Sequence, residues 1–409
     1  MGPLDGVKVI ELADFLTAPG AGQIFGDLGA DVIKVEEPVH GDSLRGLYAM
    51  GGASMAIAGG RNIIFDTASR SKRGITLDLK KERGREILYQ LIDKADIFYT
   101  NYREKVLQGL GADYETLSQR KPSLIYGKID MFGVKGPWAE RRGYDFMGQA
   151  RSGLMWAMGD RDWPEPVVAY GSICDQTSST MLAFALAIAL LAKERKGIGQ
   201  RVDVSMYGTM IHIQSTGLHV TSFRGRPWAR HSRTRVREPM SNFYKCADNK
   251  WMLLVEMRGD QYWPLFARVM GLEHLAEDPK FAISKGRREN YEEVIRTLDE
   301  AFATKTLPEW LDAFEREGLA KAGFSYCPIY DFFDVLKDPQ AMANDYIVDF
   351  EHPTAGRVKV VGYPMQFSTT PAEIKCAAPE HGQHTEEVLS ELCGLSWEEM
   401  AKLRDEGVI

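Results

Sequence analysis

Short β-rich runs alternate with amphipathic helical stretches through the first half of this chain, and no other feature limits its fold as strongly. Val7–Leu12, Val32–Glu36, Ile97–Tyr102, Leu124–Asp130 and Arg201–Ser205 read as strands. Helical patterns lie between them, such as Arg83–Lys94 with Ile87, Leu88, Leu91 and Ile92 on one face. Such alternation predicts a largely parallel sheet covered by helices on both faces, an α/β fold. At 409 residues the chain is too long for one ordinary core. Its character changes near Gly225, where six arginines fall between Arg224 and Arg237. Strand-like Phe243–Lys245 and Trp251–Val255 follow, then charge-rich helices. A second shift near Pro328 leads to the β-like segment Gly356–Val361. Ser396-x-x-Glu399 is a capping box that opens a final helix. The expected organisation is a large α/β domain over 1–224, a small inserted α+β domain over 225–330, and a return to the large domain over 331–409.

A net charge of −7 argues against nucleic acid or an anionic membrane as the main partner, while leaving room for a local basic pocket. Cys174, Cys246, Cys327, Cys376 and Cys393 are odd in number, far apart and without a C-x-x-C pair. That usage suits a reducing compartment better than a disulfide framework or a zinc site. The start, Met1-Gly2-Pro3-Leu4-Asp5-Gly6, lacks the basic and apolar regions of a signal peptide and the hydroxyl residue of a myristoylation signal. The longest apolar run, Met181–Ala192, is shorter than the ~20 residues of a membrane span and reads as a buried helix. A cytoplasmic location is expected.

Gly20-x-Gly22-x-x-x-Gly26 follows a strand, opens a helix and is succeeded by acidic Glu36 and Glu37, a pattern that can bind a dinucleotide. Its glycines begin eight residues beyond Leu12, however, where the fingerprint wants a tight turn, and Pro19 stiffens the bend. Close packing of a helix on its sheet explains them better. Asp175 follows Gly171-Ser172-Ile173-Cys174 and precedes the long apolar helix. An N-cap is the plain reading. A carboxylate kept ionised at a helix start can also act as a nucleophile toward an acyl group, so the two readings are compatible. His381 and His384 beside Glu380 offer two imidazoles but no third and fourth metal ligand, and read as a helix-entry loop. The arginine-rich stretch with Trp228 reads as a linker or subunit contact. There is no G-x-S-x-G, P-loop or H-E-x-x-H, so serine hydrolases, P-loop kinases and zincins lose support.

Several segments, taken together and in order, resemble the class III CoA-transferase family, which includes formyl-CoA, carnitine and phenyllactate CoA-transferases. They are Leu4–Leu12, Asp27–Glu36, Lys72–Lys80, Asp96–Arg103, Gly143-Tyr144-Asp145 and Gly199–Val204, with His352-Pro353, Gly356-Arg357-Val358 and His384-Thr385 near the end. The resemblance implies a Rossmann-like large domain built from both chain ends, a small inserted domain and two interlocked subunits. It implies that Asp175 attacks an acyl-CoA thioester to give a mixed anhydride, and that CoA then forms an aspartyl thioester. A carboxylic acid collects the CoA by the reverse steps, with no ATP, no metal and no permanently bound cofactor. Backbone amides near the attacked carbonyl are expected to hold its oxyanion. Coenzyme A contacts carry over to Phe15, Leu16 and Thr17, to Leu77, Asp78, Leu79 and Lys80, to Asn101, Tyr102 and Arg103, and to Arg142, Gly143, Tyr144 and Asp145. Lys80, Arg103 and Arg142 suit CoA phosphates.

The sequence departs from formyl-CoA transferases at Leu16, where those enzymes have glutamine, at Glu37, where they have arginine, and at Gly109, where a CoA-binding arginine is lost. Their glycine-rich small-domain loop is replaced by Met257-Arg258-Gly259-Asp260-Gln261. These changes disfavour formate and oxalate and point to a medium-sized, aromatic or branched (2-hydroxy) acid, because Phe15 and Leu16 would desolvate a small dianion. Within the superfamily, 2-methylacyl-CoA racemases are the rival; they carry histidine where Tyr144 stands, and a phenol is a poor base at neutral pH. An NAD(P)-dependent dehydrogenase using the glycine turn is a second alternative. A non-catalytic CoA-binding subunit of a pair is a third, and the presence of Asp175 argues against it. The expected partners are an acyl-CoA, a free carboxylic acid and a second copy of the chain, with a non-identical subunit left open.

Overall fold

The computed structural model describes every residue except Arg258, so that member of the Met257–Gln261 stretch lies outside the described residues. Six strands form one parallel sheet: β1 (Lys8–Leu12), β2 (Asp31–Glu36), β3 (Arg73–Thr76), β4 (Ile97–Thr100), β5 (Ile125–Asp130) and β6 (Gln200–Ser205). Their spatial order is β3-β2-β1-β4-β5-β6, with Val9 paired to Val32 on one side and to Ile97 on the other. This is the doubly wound order of a dinucleotide-binding sheet. The chain winds outward from β1 through β3, then returns to place β4 against the opposite edge of β1. A crevice opens at the carboxyl ends of β1 and β4, where the winding reverses.

Side-chain alternation makes two cores from one sheet. Ile10, Leu12, Ile33, Val35 and Phe98 face one side, where helix α2 (Glu82–Lys94) contributes Ile87, Leu88, Leu91 and Ile92. The C-terminal segment joins them with Val388, Leu389, Met400 and Leu403. Val9, Val32, Ile97 and Tyr99 face the other side, against Ala18, Ala21 and Phe25 of α1 (Thr17–Asp27). Leu182, Leu186 and Leu190 come from the 24-residue helix that we call α4 (Ile173–Lys196), α3 being Asp145–Ser152. Among the described residues α4 is the one helix with the length and composition to cross a bilayer, a property the shorter run Met181–Ala192 did not announce. Here it packs along α1 and β5.

Strand β3 escaped the sequence reading because its four residues, Arg-Gly-Ile-Thr, show no alternation. Its Gly74 lies against Pro379, brought there from the C-terminal segment.

Residues 1–156, 167–227 and 344–409 form one compact unit, and 157–166 with 228–343 a second. The second has a three-stranded antiparallel sheet (Phe243–Lys245, Trp251–Leu254 and Tyr326–Ile329) around an aromatic core of Tyr244, Trp263, Phe266, Phe302, Trp310 and Phe314. In the first, Ser396 and Glu399 form the capping box that starts the last helix, Trp397–Asp405.

An ionic cluster with no solvent access lies under the first helix. Glu11 accepts from Lys34 at 3.0 Å, from Lys72 at 2.6 Å and from the Tyr99 hydroxyl. Lys34 also pairs with Asp42 at 2.8 Å. Burial alone would discharge Lys34, but Asp42, Glu11 and Glu36 outweigh it and raise its pKa above the usual lysine value. Burial prevails at Lys72 and pulls it down to about 8. Gly22 sits directly on this cluster: a Cβ there would overlap the Tyr99 hydroxyl and Glu11 Oε2. The glycines of α1 thus face the protein interior rather than a phosphate. Gly22→Ala should therefore lower stability by about 1–3 kcal/mol through overpacking, although alanine is the better helix former, and a urea titration would show it.

Candidate active site

The loop that leaves β1 at the switch point carries Phe15 with a left-handed backbone, φ 64°. A bulky residue adopts that conformation only under constraint, at a cost of about 1–3 kcal/mol. The constraint is visible. The Phe15 amide donates to Asp14 Oδ1 at 3.0 Å and to Asp42 Oδ1 at 3.2 Å. Asn101, just beyond β4, clasps the same loop: its amide nitrogen donates to the Asp14 carbonyl at 2.7 Å, and its side-chain oxygen accepts the Asp14 amide at 3.0 Å. The Phe15 ring meets Tyr144 edge-on at 6.1 Å.

Asp175 approaches from the opposite wall, as the third residue of α4. It is not the cap of that helix. Ser172 holds the cap position with φ 56° and makes no side-chain cap bond. The capping acceptor comes instead from α3, where Asp145 Oδ1 takes the amides of Cys174 at 2.7 Å and Asp175 at 3.0 Å. Asp145 is held in turn by Gln149 Nε2 at 2.5 Å. The Asp175 carboxyl is thereby released from capping, and its Oδ1 accepts the hydroxyl of Thr17. Sequence reasoning expected the helix start to favour the ionised form. Burial works the other way and pushes the carboxyl up to about 6, with the Thr17 bond opposing and the Asp145 charge adding to the rise. At neutral pH it remains mostly ionised.

These groups line a cavity of about 510 Å³ that brings together Phe15, Leu16, Thr17, Asn101, Tyr102, Arg103, Arg142, Gly143, Tyr144 and Asp175. Leu77–Lys80 do not line it. Leu77 and Leu79 are core residues, the Asp78 amide is bound to the Val408 carbonyl at 2.8 Å, and Lys80 is exposed. Asp145 is buried beneath the floor as a structural acceptor. Sequence reading passed over Asp14, Asp130, Met131, Arg141 and Met206, which also line the wall. Asp14 has the same perturbation as Asp175, pushed up to about 6 by burial and by the carboxyl of Asp42. Its place immediately after a central parallel strand was the available signal. Arg103, Arg141 and Arg142 are the exposed cations of the rim, and Arg141 is also stacked on Trp138 at 4.0 Å. His381 Nε2 lies 2.9 Å from the Glu37 carbonyl, and His384 Nδ1 accepts the Gly74 amide at 3.1 Å. Both imidazoles thus tie the C-terminal segment to the sheet, and no cluster of metal-binding side chains occurs among the described residues.

Comparison with known proteins matches residues 4–385 to CoA-transferase family III. The (R)-2-hydroxy-4-methylpentanoate CoA-transferase of Clostridioides difficile is 31% identical over 408 residues, covering 99% of both chains. The succinyl-CoA–D-citramalate CoA-transferase of Chloroflexus aurantiacus is 30% identical over 409 residues, 100% of this chain and 98% of its own. Among solved structures, a CAIB/BAIF family protein from Brucella suis superposes with a TM-score of 0.83 at 30% identity, over 96% of this chain and 99% of that one. The chain belongs to CoA-transferase family III and is an enzyme of the CoA-transferase class.

The reach of Asp145 across to α4 is directly testable. Asp145→Ala should cost about 1–2 kcal/mol of stability by orphaning two helix-start amides, whereas Asp145→Asn, which keeps an acceptor oxygen, should cost far less. Thermal midpoints of the two variants would separate them.

Proposed function

We propose that this enzyme moves CoA from an acyl-CoA to a free carboxylic acid through a covalent aspartyl-CoA thioester on Asp175. The observation that carries the reading is the setting of Asp175 on the wall of the switch-point cavity. Its backbone is capped by another residue, and one carboxylate oxygen is held by Thr17. No hydrogen bond to the second oxygen, Oδ2, occurs among the described residues, and Oδ2 is the nucleophile. It attacks the acyl carbon and the C–S bond breaks, leaving a mixed anhydride and CoA thiolate. The thiolate attacks the Asp175 carbonyl and the first acid departs. The incoming acid reverses both steps. The net reaction exchanges one acyl-CoA thioester for another of similar energy, so no ATP is needed.

Arg103 and Arg142 serve the CoA phosphates at the rim. Lys80 is assigned to the same task, beyond the carboxyl end of β3. The names of the two relatives point to different acids, and the cavity wall is the guide to the acid here. Phe15, Leu16, Met131 and Met206 offer it an apolar wall, which suits a medium-sized, aromatic or branched 2-hydroxy acid better than a small dianion.

A second copy of the chain, interlocked with the first, is the partner we assign. The exposed apolar face of α4, with Phe184, Ile188 and Leu191, supports it. So does an apolar cavity of about 880 Å³ that α4 and α1 form with Tyr363, Pro364 and Phe367. Five free cysteines favour a cytoplasmic setting.

The test is to incubate the protein with cinnamoyl-, succinyl- or butyryl-CoA without acceptor, trap with hydroxylamine, and map the adduct by mass. A modification on Asp175, absent from Asp175→Ala, is expected, with a loss of turnover of about 10³-fold or more in that variant. No adduct from any donor, together with deuterium exchange α to the thioester of a 2-methylacyl-CoA, would instead establish a racemase. Because the carboxylate is the attacking form, kcat/KM should rise with pH through about 6 and level off above it.

A further inference from the structure

We infer that Thr17 is the oxyanion donor for the aspartyl half of the reaction: its hydroxyl stays on Asp175 Oδ1 while the charge of each tetrahedral intermediate at the Asp175 carbonyl builds on that oxygen. This rests on Asp175 being the nucleophile.

Thr17 opens α1, and its side chain is buried. Its hydroxyl has two neighbours, Asp175 Oδ1, to which it donates, and Met206 Sδ at 3.7 Å. The thioether is a poor acceptor beside a carboxylate, so the proton belongs to Oδ1. The threonine backbone is itself fixed to α4, because Ser179 Oγ shares its proton between the backbone carbonyls of Thr17 at 2.6 Å and Asp175 at 2.9 Å. One serine thus ties the donor and the acceptor into a single unit. This donor is in place before any charge develops, which is the condition for electrostatic stabilisation of a transition state.

The electron balance then distinguishes the two oxygens. With Oδ1 held, Oδ2 forms the bond to the acyl carbon. When CoA thiolate adds to Cγ of the anhydride, the S–Cγ bond forms and the carbonyl pair moves onto Oδ1. Collapse restores the carbonyl, breaks Cγ–Oδ2, and releases the first acid as its carboxylate, carrying Oδ2 away. The acceptor carboxylate adds to Cγ of the thioester in the same sense. Charge again gathers on Oδ1 before thiolate leaves. The same hydroxyl therefore serves both intermediates at Cγ.

A threonine that only filled space would behave differently. The charge of Asp145 acts on Asp175, and Asp14, Asp130, Arg103, Arg141 and Arg142 share the cavity of Asp175, so none of them is altered in the test. The experiment compares Thr17→Val, which keeps the shape, with Thr17→Ser, which keeps the hydroxyl. It uses whichever of cinnamoyl-, succinyl- or butyryl-CoA labels the wild-type chain.

The expected result for Thr17→Val is a fall in kcat of about 100-fold with KM for the acyl-CoA little changed. The acid limb of its pH profile should move upward by about one unit, because a hydrogen bond to the charged carboxylate has been removed. Thr17→Ser should stay within about threefold of wild type, with its limb unmoved. Equal losses in both variants, or a Thr17→Val enzyme with wild-type kcat and pH profile, would overturn the role of Thr17 while leaving the aspartyl adduct standing. Turnover by the wild type without any adduct on Asp175 would overturn the nucleophile, and this inference with it.

Discussion

Glu11 has no solvent access, and its two carboxylate oxygens are taken by Lys34 on one side and by Lys72 and Tyr99 on the other. Each lysine spends a further proton on the backbone of the site loop. Lys34 donates to the Ala13 carbonyl at 2.9 Å and Lys72 to the Pro19 carbonyl at 2.7 Å. The segment from Asp14 to Ala18 is therefore pinned at both ends by ammonium groups that share one carboxylate. Removing one partner from such a cluster leaves an uncompensated buried charge, so it tolerates little change. Lys34 also fixes Asp42, and Asp42 holds the amide of Phe15 in its left-handed conformation. The strained loop, the position of Thr17 and the hydrogen bond to Asp175 all depend on this buried cluster.

The far wall uses a different device. The amides at the start of a helix need acceptors, and the ordinary solution would take the first carboxylate in the sequence. Here Asp145, thirty residues upstream, supplies the acceptor. The Asp175 carboxylate is left out of the cap at a place where it would otherwise be consumed by structure. The exchange has an electrostatic consequence. A carboxyl that is buried, close to a second carboxylate and held by a single hydroxyl titrates higher than a capping aspartate would.

How much could be read in advance varied with the range of the interaction. β1, β2, β4, β5 and β6 were apparent because apolar runs and helical periodicity are local properties. β3 was not, since four residues containing a glycine carry no periodic signal and depend on neighbours such as Pro379 for their place. Residues 157–166 show nothing in composition that separates them from their surroundings. They join the second unit through contacts such as Arg161 to His231 and Asp160 to Arg233. The glycines of α1 read as packing residues, and they pack closely on Ser179, Tyr99 and Ser71. What Gly22 packs against, a buried ionic cluster, is not visible in the sequence, because Glu11, Lys72 and Tyr99 are scattered along the chain.

By itself the sequence determined a largely parallel sheet covered by helices, the membership of the transferase family and the identity of Asp175 as the residue to watch. These follow from local patterning and from segments that keep their order along the chain. The tertiary structure alone decided that Asp175 does not cap its helix and that Asp145 does. It also decided that Thr17, 158 residues away, holds one carboxylate oxygen, and that Leu77–Lys80 lie outside the cavity while Asp14 lies within it. The physical reason is that a hydrogen bond or a desolvation effect belongs to a place in space. That place exists only after α1 and α4 have packed against each other.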